Sequence, residues 1–275
     1  MIVVTGATGN VGRPLVQALA ASGERVTAVS RGGAAPGLPT GVEHRTADLT
    51  DPDGLKPALD GAEALFLLIT GDWLAAGGDP AGIIDAARSA GLRRIVHLSS
   101  QGVATHRHPP FLEDAVKRSG LGWTMLRPAG FSSNTLQWAG TIRVHRSVEA
   151  PFGDVALPVV DPADIAEVAA LTLSEDGHEG RTYELTGPSA VSPRQQAAAI
   201  GDALGEEVRF VERSAAEARA QMLRFMPEQV VDSTLGILGS PLPAEQRVSP
   251  DVARLLGRPA RTFAAWARRN TAAFA

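Results

Sequence analysis

Three glycines at i, i+3 and i+6 open the chain: Gly6-Ala7-Thr8-Gly9-Asn10-Val11-Gly12. An apolar run, Ile2–Thr5, precedes them, and a helical pattern, Val11–Ala21, follows. Glycine at these positions permits a tight turn, close approach of backbone to a pyrophosphate, and close packing of helix on strand. The helix N-terminus adds open N–H groups and a positive dipole end. Gly6, Thr8, Gly9, Asn10, Val11 and Gly12 are therefore expected to hold a dinucleotide. The end of the second strand selects which one. An Asp or Glu there bonds the ribose hydroxyls of NAD. This chain has Val29-Ser30-Arg31-Gly32-Gly33, with no acid. Arg31 can fork two oxygens of a 2′-phosphate, so NADP(H) is favoured over NAD(H). The bland alternative is a solvated surface arginine. Asp48 is expected at the adenine amino group, or else as a turn acid. Asp51 fits the N-cap of the helix beginning at Pro52 better.

Acid–base chemistry has fewer candidates. Ser99, Ser100 and Gln101 end the fifth strand, where ligands of open α/β sheets bind. Ser99 or Gln101 can donate to an acceptor oxygen, or Ser99 can bond backbone. His106 and His108 follow in a loop; each is a proton donor near neutral pH or merely solvated. No third metal ligand adjoins them, so no metal is expected. A Tyr-x-x-x-Lys pair, which protonates a developing alkoxide, is excluded. The only tyrosine, Tyr183, is followed four residues later by Gly187, and Lys117 is preceded four residues earlier by Glu113. Glu113 and Asp114 read as first-turn acids facing a helix dipole. Absence of cysteine removes disulfides, thiolate nucleophiles and iron–sulfur clusters.

The elements that must position these residues alternate over 1–128. Apolar runs occur at Ile2–Thr5, Arg25–Ser30, Val42–Thr46, Ala64–Ile69, Ile95–Ser99 and Thr124–Arg127. Helical patterns lie at Val11–Ala21, Pro52–Leu59, Pro80–Ala90 and Leu112–Ser119. Val11, Leu15 and Leu19 share one helix face. Gly23, Gly61, Gly91 and Gly120 sit where left-handed C-caps are wanted. Such alternation predicts an α/β fold, a Rossmann-type doubly wound parallel sheet. After Pro128 the pattern lapses, with Gly, Pro and Ser through 129–160. Asp161 is then expected to cap a helix over Ile165–Ser174, with Pro162 in its first turn. A strand at Thr182–Leu185, a helix at Pro193–Leu204, a strand at Val208–Val211 and mostly helical residues 215–275 complete the chain.

The 275 residues carry 26 Lys+Arg and 30 Asp+Glu, a net charge of −4. That argues against a nucleic-acid partner bound through a generally basic surface. No run approaches a membrane span and no charged n-region precedes an apolar stretch, so a cytoplasmic protein is expected.

With these motifs in hand, the chain resembles the atypical short-chain dehydrogenases, in particular the NmrA-like group of quinone and triphenylmethane-dye reductases and redox-sensing regulators. The carrying segments are GATGNVG at 6–12, SRGG at 30–33, ADLTDP at 47–52, HLSSQG at 97–102, SGLGWTMLRPAGFSSN at 119–134, DPADIA at 161–166 and YELTGP at 183–188. The resemblance implies strand order 3-2-1-4-5-6 and a small C-terminal α+β substrate lobe. It divides the chain into a core over 1–128 and a lobe over 129–275, intertwined as one structural unit. Leu49, Leu68, Ile69, Ser99 and Pro128 join the expected cofactor set. Trp73, Gln101, Phe131, Asn134 and Trp138 form the expected substrate set, although Trp138 equally reads as lobe packing. By the group's spacing, the usual Tyr and Lys fall near Thr105 and Pro109. The resulting expectation is NADPH-dependent hydride transfer to a quinone-like or other conjugated small-molecule acceptor. The alternatives are a non-catalytic NADP(H) sensor, and a ketone reductase whose acid is His106 or His108.

Overall fold

A computed structural model describes all residues except 34–35, 71–72 and 74–76. The chain runs β1 Ile2–Thr5, α1 Gly12–Ala21, β2 Val26–Ser30, β3 Glu43–Thr46, α2 Pro52–Leu59, β4 Ala64–Leu68, α3 Pro80–Ser89, β5 Arg94–Leu98, α4 Gln101–Ala104, α5 Phe111–Lys117 and β6 Gly122–Pro128. A 3₁₀ turn at Ser132–Trp138, α6 Ala139–His145 and β7 Ser147–Ala150 follow, then α7 Pro162–Ser174 and β8 Arg181–Leu185. The remainder is α8 Pro193–Leu204, β9 Arg209–Glu212, α9 Ala215–Met222, α10 Glu228–Gly239, α11 Pro243–Gln246, α12 Asp251–Leu256 and α13 Phe263–Arg269.

The first compact unit comprises 1–128 and 162–184. Its sheet has the order β3-β2-β1-β4-β5-β6-β8. The neighbours from β3 through β6 pair in parallel. The expected order 3-2-1-4-5-6 is thus observed, with β8 added beside β6. Strands β1 and β2 are buried along their whole length, as two-sided coverage by helices requires. Leu15 and Leu19 of α1 are fully buried and Val11 nearly so, on the face the spacing indicated. One core cluster joins Leu55 and Leu59 of α2, Leu65 and Leu67 of β4, Ile83 of α3, Ile95 of β5 and Met125 of β6. Thr5 pins β1 to β4: its Oγ1 donates to the Phe66 carbonyl at 2.9 Å and accepts the Leu68 N–H at 2.8 Å.

Several helix ends follow the capping signals. Asp51 accepts the Gly54 N–H at 3.1 Å, with Pro52 in the first turn of α2. Gly23, Gly61, Gly91 and Gly120 all adopt positive φ.

The second unit comprises 129–161 and 185–275. A two-stranded parallel sheet, β7 with β9, packs with α8 and α13 around Ile142, Val148, Ile200, Phe263, Trp266 and Phe274. Residues 129–160, read as irregular, contain the 3₁₀ turn, α6 and β7. Each is short, and its burial depends on sequence-distant α8 and α13, so local periodicity does not reveal it. Among the described residues, no helix is long and apolar enough to cross a membrane.

Candidate functional site

The glycine turn is built from three short approaches. Gly6 adopts φ +63°. The Gly9 N–H donates to the Gly6 carbonyl at 2.9 Å. A Cβ on Gly12 would lie 2.1 Å from that same carbonyl oxygen and 2.8 Å from Ala7 Cα, so no side chain fits there. Thr8, Gly9 and Asn10 are exposed at the tip, with Val11 and Gly12 buried behind them. Helix α1 begins with no side-chain cap and no acid in its first turn. Its dipole end is left positive, which suits an anion. Leu68 at the end of β4 packs under Gly6, 3.3 Å from the place of a Cβ. The arrangement fits a dinucleotide pyrophosphate: an exposed backbone tip, no competing carboxylate, and a turn that only glycine closes.

At the end of β2, Arg31 is exposed. Its turn is tied to β3: Ser30 Oγ and Thr46 Oγ1 each lie 3.3 Å from the Gly32 carbonyl, and His44 Nε2 lies 2.9 Å from Ser30 Oγ. Asp48 Oδ1 accepts both the Thr50 N–H and its hydroxyl at 2.9 Å. These two bonds hold its carboxyl below the usual range, and the Arg31 charge adds to them. Asp48 thus forms a local turn while lying in the field of Arg31. Leu49 beside it packs partly against the core.

The ends of β5 and β6 carry a feature the sequence reading missed. Glu113 of α5 was read as a first-turn acid facing the helix dipole, and it does stand in that turn. It is only 1% exposed, turned inward. It accepts Arg127 Nε at 2.8 Å and Nη2 at 2.7 Å, Ser99 Oγ at 2.6 Å and Lys117 Nζ at 3.0 Å. Burial alone would raise its carboxyl; the Arg127, Ser99 and Lys117 bonds outweigh it and bring the pKa down to about 2. Asp114 occupies the first turn with it, as expected. Ser99 therefore spends its proton on Glu113 rather than on backbone. The detectable signal was Arg127, a half-buried cation on a strand that needs a counter-ion.

Gln101 is 7% exposed and starts α4. Ser100 caps that helix, accepting the Gly102 N–H at 3.0 Å. His108 Nδ1 lies 3.0 Å from Ser100 Oγ, and its ring is exposed. His106 is exposed with φ +59°. Deeper in β5, His97 is buried, and its Nδ1–H donates to the Leu67 carbonyl at 3.0 Å. Desolvation pulls its pKa below the usual value. Tyr183 on β8 is buried and bonded to His178 Nδ1 at 2.8 Å, so the one phenol is committed.

Trp73 corrects an expectation. Read as a rim residue, it is only 4% exposed and belongs to the core cluster. Its ring lies against Gly78, where a Cβ would come within 2.1 Å of Cε2. Ile69 is half-buried and Pro128 buried at the ends of β4 and β6. In the second unit, Phe131 bridges Val160 and Asn134 is exposed. Trp138 packs partly buried on that unit's own core.

A family described as NAD(P)H-binding matches residues 6–176. A (4-alkanoyl-5-oxo-2,5-dihydrofuran-3-yl)methyl phosphate reductase from Streptomyces griseus is 38% identical, covering 100% of this chain and 99% of that protein. An NAD(P)H azoreductase from Xenophilus azovorans is 33% identical, with 100% and 99% coverage. The NADPH-dependent quinone oxidoreductase QOR2 of Escherichia coli superposes with a TM-score of 0.79 at 30% identity, covering 98% of this chain and 99% of that one. The chain belongs to this NAD(P)H-binding family and is an oxidoreductase. Triphenylmethane reductase from a Citrobacter species and the regulator NmrA, both 22% identical, share the fold.

Proposed function

We propose that the protein is an NADPH-dependent oxidoreductase that delivers hydride to a quinone-like or otherwise conjugated small-molecule acceptor without a Tyr–Lys acid pair. The carrying observation is a glycine-only cradle heading α1 in a chain whose single phenol is bonded elsewhere. Bound NADPH supplies the hydride; the chain binds, orients and excludes water.

The missing acid selects the acceptor. A reduced ketone is an alkoxide, a strong base that needs a proton donor at once. A reduced quinone is a hydroquinone anion, with a pKa near the ~10 of a phenol, so a weak hydrogen bond suffices. The ring named for the Streptomyces relative fits the same logic. One carbon of its double bond carries both the ketone and the lactone carbonyl, so hydride addition at the other carbon would leave an enolate spread over two oxygens.

Within this reading, the 6–12 turn holds the pyrophosphate, with Leu49, Leu68, Ile69, Ser99 and Pro128 beside the cofactor. Arg31 forks the 2′-phosphate, and Asp48 lies toward the adenine. Gln101, Phe131, Asn134 and Trp138 face the acceptor. Trp73, lying in the core, is left out. The protein works in the cytoplasm on a small-molecule acceptor, with neither nucleic acid nor membrane as partner. The non-catalytic sensor has only a likeness of fold behind it.

Two experiments test this. NADPH oxidation is expected with quinones and a cationic dye, and not with a simple ketone. Arg31→Asp is expected to weaken NADPH binding far more than NADH binding, since it places a carboxylate against the 2′-phosphate. Equal losses for both cofactors would remove the role of Arg31.

A further inference from the structure

The turn after β2 is fastened to the edge strand β3 through one imidazole. Ser30 stands opposite Thr46 in the parallel register, and Ala28 opposite His44. Side chains alternate along a strand, so Ser30, His44 and Thr46 share one face of the sheet. There His44 Nε2 lies 2.9 Å from Ser30 Oγ, and Ser30 Oγ lies 3.3 Å from the Gly32 carbonyl. The Ala47 N–H closes the strand ends, donating to the Ser30 carbonyl at 3.1 Å. Ser30 is buried and His44 half-buried, while Arg31, carried by the turn they hold, is exposed. The charged groups on the elements beside His44 are Arg31, Arg13, Asp48, Glu43 and Arg45. Glu43 and Arg45, its neighbours on β3, pair with each other and by alternation lie on the opposite face. Asp48 is turned onto Thr50, and Arg13 of α1 donates to the Pro36 carbonyl at 3.2 Å, just beyond the turn.

A hydroxyl has one proton to give. A neutral imidazole with a bare Nε2 draws the Ser30 proton toward the ring and away from Gly32. An imidazolium can only donate. Its Nε2–H then bonds Ser30 Oγ, and the Ser30 hydroxyl is left to donate to the Gly32 carbonyl. The turn holding Arg31 is thereby closed by one chain of bonds with a positive charge at its root. Imidazoles gain that charge between about pH 5 and 8. We propose that His44, acting through Ser30, is a positioning residue and a proton-switched charge of the 2′-phosphate site, so that selection of NADP(H) over NAD(H) sharpens on acidification. This rests on the reading above in which Arg31 forks the 2′-phosphate. NADP(H) and NAD(H) differ at that group alone, so contacts to the rest of the cofactor cancel from the ratio of their affinities.

The oxidised cofactors, which survive acid, are the probes. Affinities for NADP⁺ and NAD⁺ are measured in the wild type, His44→Gln and His44→Lys at about pH 8 and about pH 5.5, near the two ends of the imidazole range. A partly exposed charge pair changes an affinity by up to about fivefold. Relative to His44→Gln, the wild-type preference for NADP⁺ over NAD⁺ is expected to be about fivefold greater at the acid end and unchanged at the alkaline end. His44→Lys, charged at both ends, is expected to show that gain at both, which a merely structural histidine would not allow. NAD⁺ affinity reports folding in each variant. The 2′-phosphate has its own second pKa of about 6 and loses charge over the same range. That loss is common to all three proteins and cancels in the comparison. A wild-type gain over His44→Gln that is absent, or the same at both pH values, would overturn the proposal and leave the Arg31 reading standing, as would no gain in His44→Lys. Equal wild-type affinity for NADP⁺ and NAD⁺ at both pH values would remove the 2′-phosphate reading and the proposal with it.

Discussion

Gly12 and Glu113 carry the most consequence per atom. A methyl at residue 12 would lie 2.1 Å from the Gly6 carbonyl oxygen, so Gly12→Ala must open the turn that presents the first amides of α1. The expected result is a loss of NADPH affinity of at least about tenfold, from about 1.4 kcal/mol of distortion, seen in a fluorescence titration. Unchanged affinity would mean that the turn relaxes freely. Glu113 neutralises Arg127 and Lys117 from a buried position. Glu113→Gln keeps the shape but strands those cations, and breaking a buried pair costs about 3 kcal/mol. A lowered urea midpoint at an unaltered slope is expected. An unchanged midpoint would show that the cluster is solvated.

At the scale of elements, β5 and α5 bring two titrating groups with opposite charge habits, and their pH windows differ. His97 has its pKa lowered from 6.5 by burial, so the unfolded chain binds more protons below that value. Stability from His97 is present above pH 6.5 and declines as pH falls through and below it. Glu113 has its pKa lowered from 4.5 to about 2, so its stability is present above 4.5 and is lost between those values. Thermal midpoints are expected to fall in two stages on acidification. His97→Gln should flatten the first stage and Glu113→Gln the second. A single stage unaltered by either variant would contradict the assignment. The same elements show what a sequence discloses. Strands β1, β2 and β4 were legible because burial on both faces demands continuous apolar runs. The caps at Asp51, Gly23 and Gly61 were legible because each acts within a few residues. The Glu113 cluster was not, because its partners Ser99, just past β5, and Arg127, on β6, stand 14 residues away on either side. Trp73 was misjudged for the same reason: an aromatic after a strand reads alike whether it turns outward or into the core.

For the whole molecule, the parallel-sheet fold belongs to an NAD(P)H-binding oxidoreductase family, and the proposal is that its acceptors are ones needing no strong acid. Two relatives are named as a (4-alkanoyl-5-oxo-2,5-dihydrofuran-3-yl)methyl phosphate reductase and an NAD(P)H azoreductase, and the only tyrosine of this chain is spent on His178. The first unit contains the cradle and the Arg31 turn, so the proposed cofactor contacts lie in one compact body. The measurement that tests this most directly is NADPH oxidation by the purified protein, followed by loss of dihydronicotinamide absorbance. The panel is a benzoquinone, a naphthoquinone, a cationic triphenylmethane dye and a simple ketone, with a matched NADPH-binding titration. The account predicts turnover of the quinones and the dye and none of the ketone. Tight NADPH binding with no turnover of any conjugated acceptor, or ketone turnover equal to that of the quinones, would contradict it.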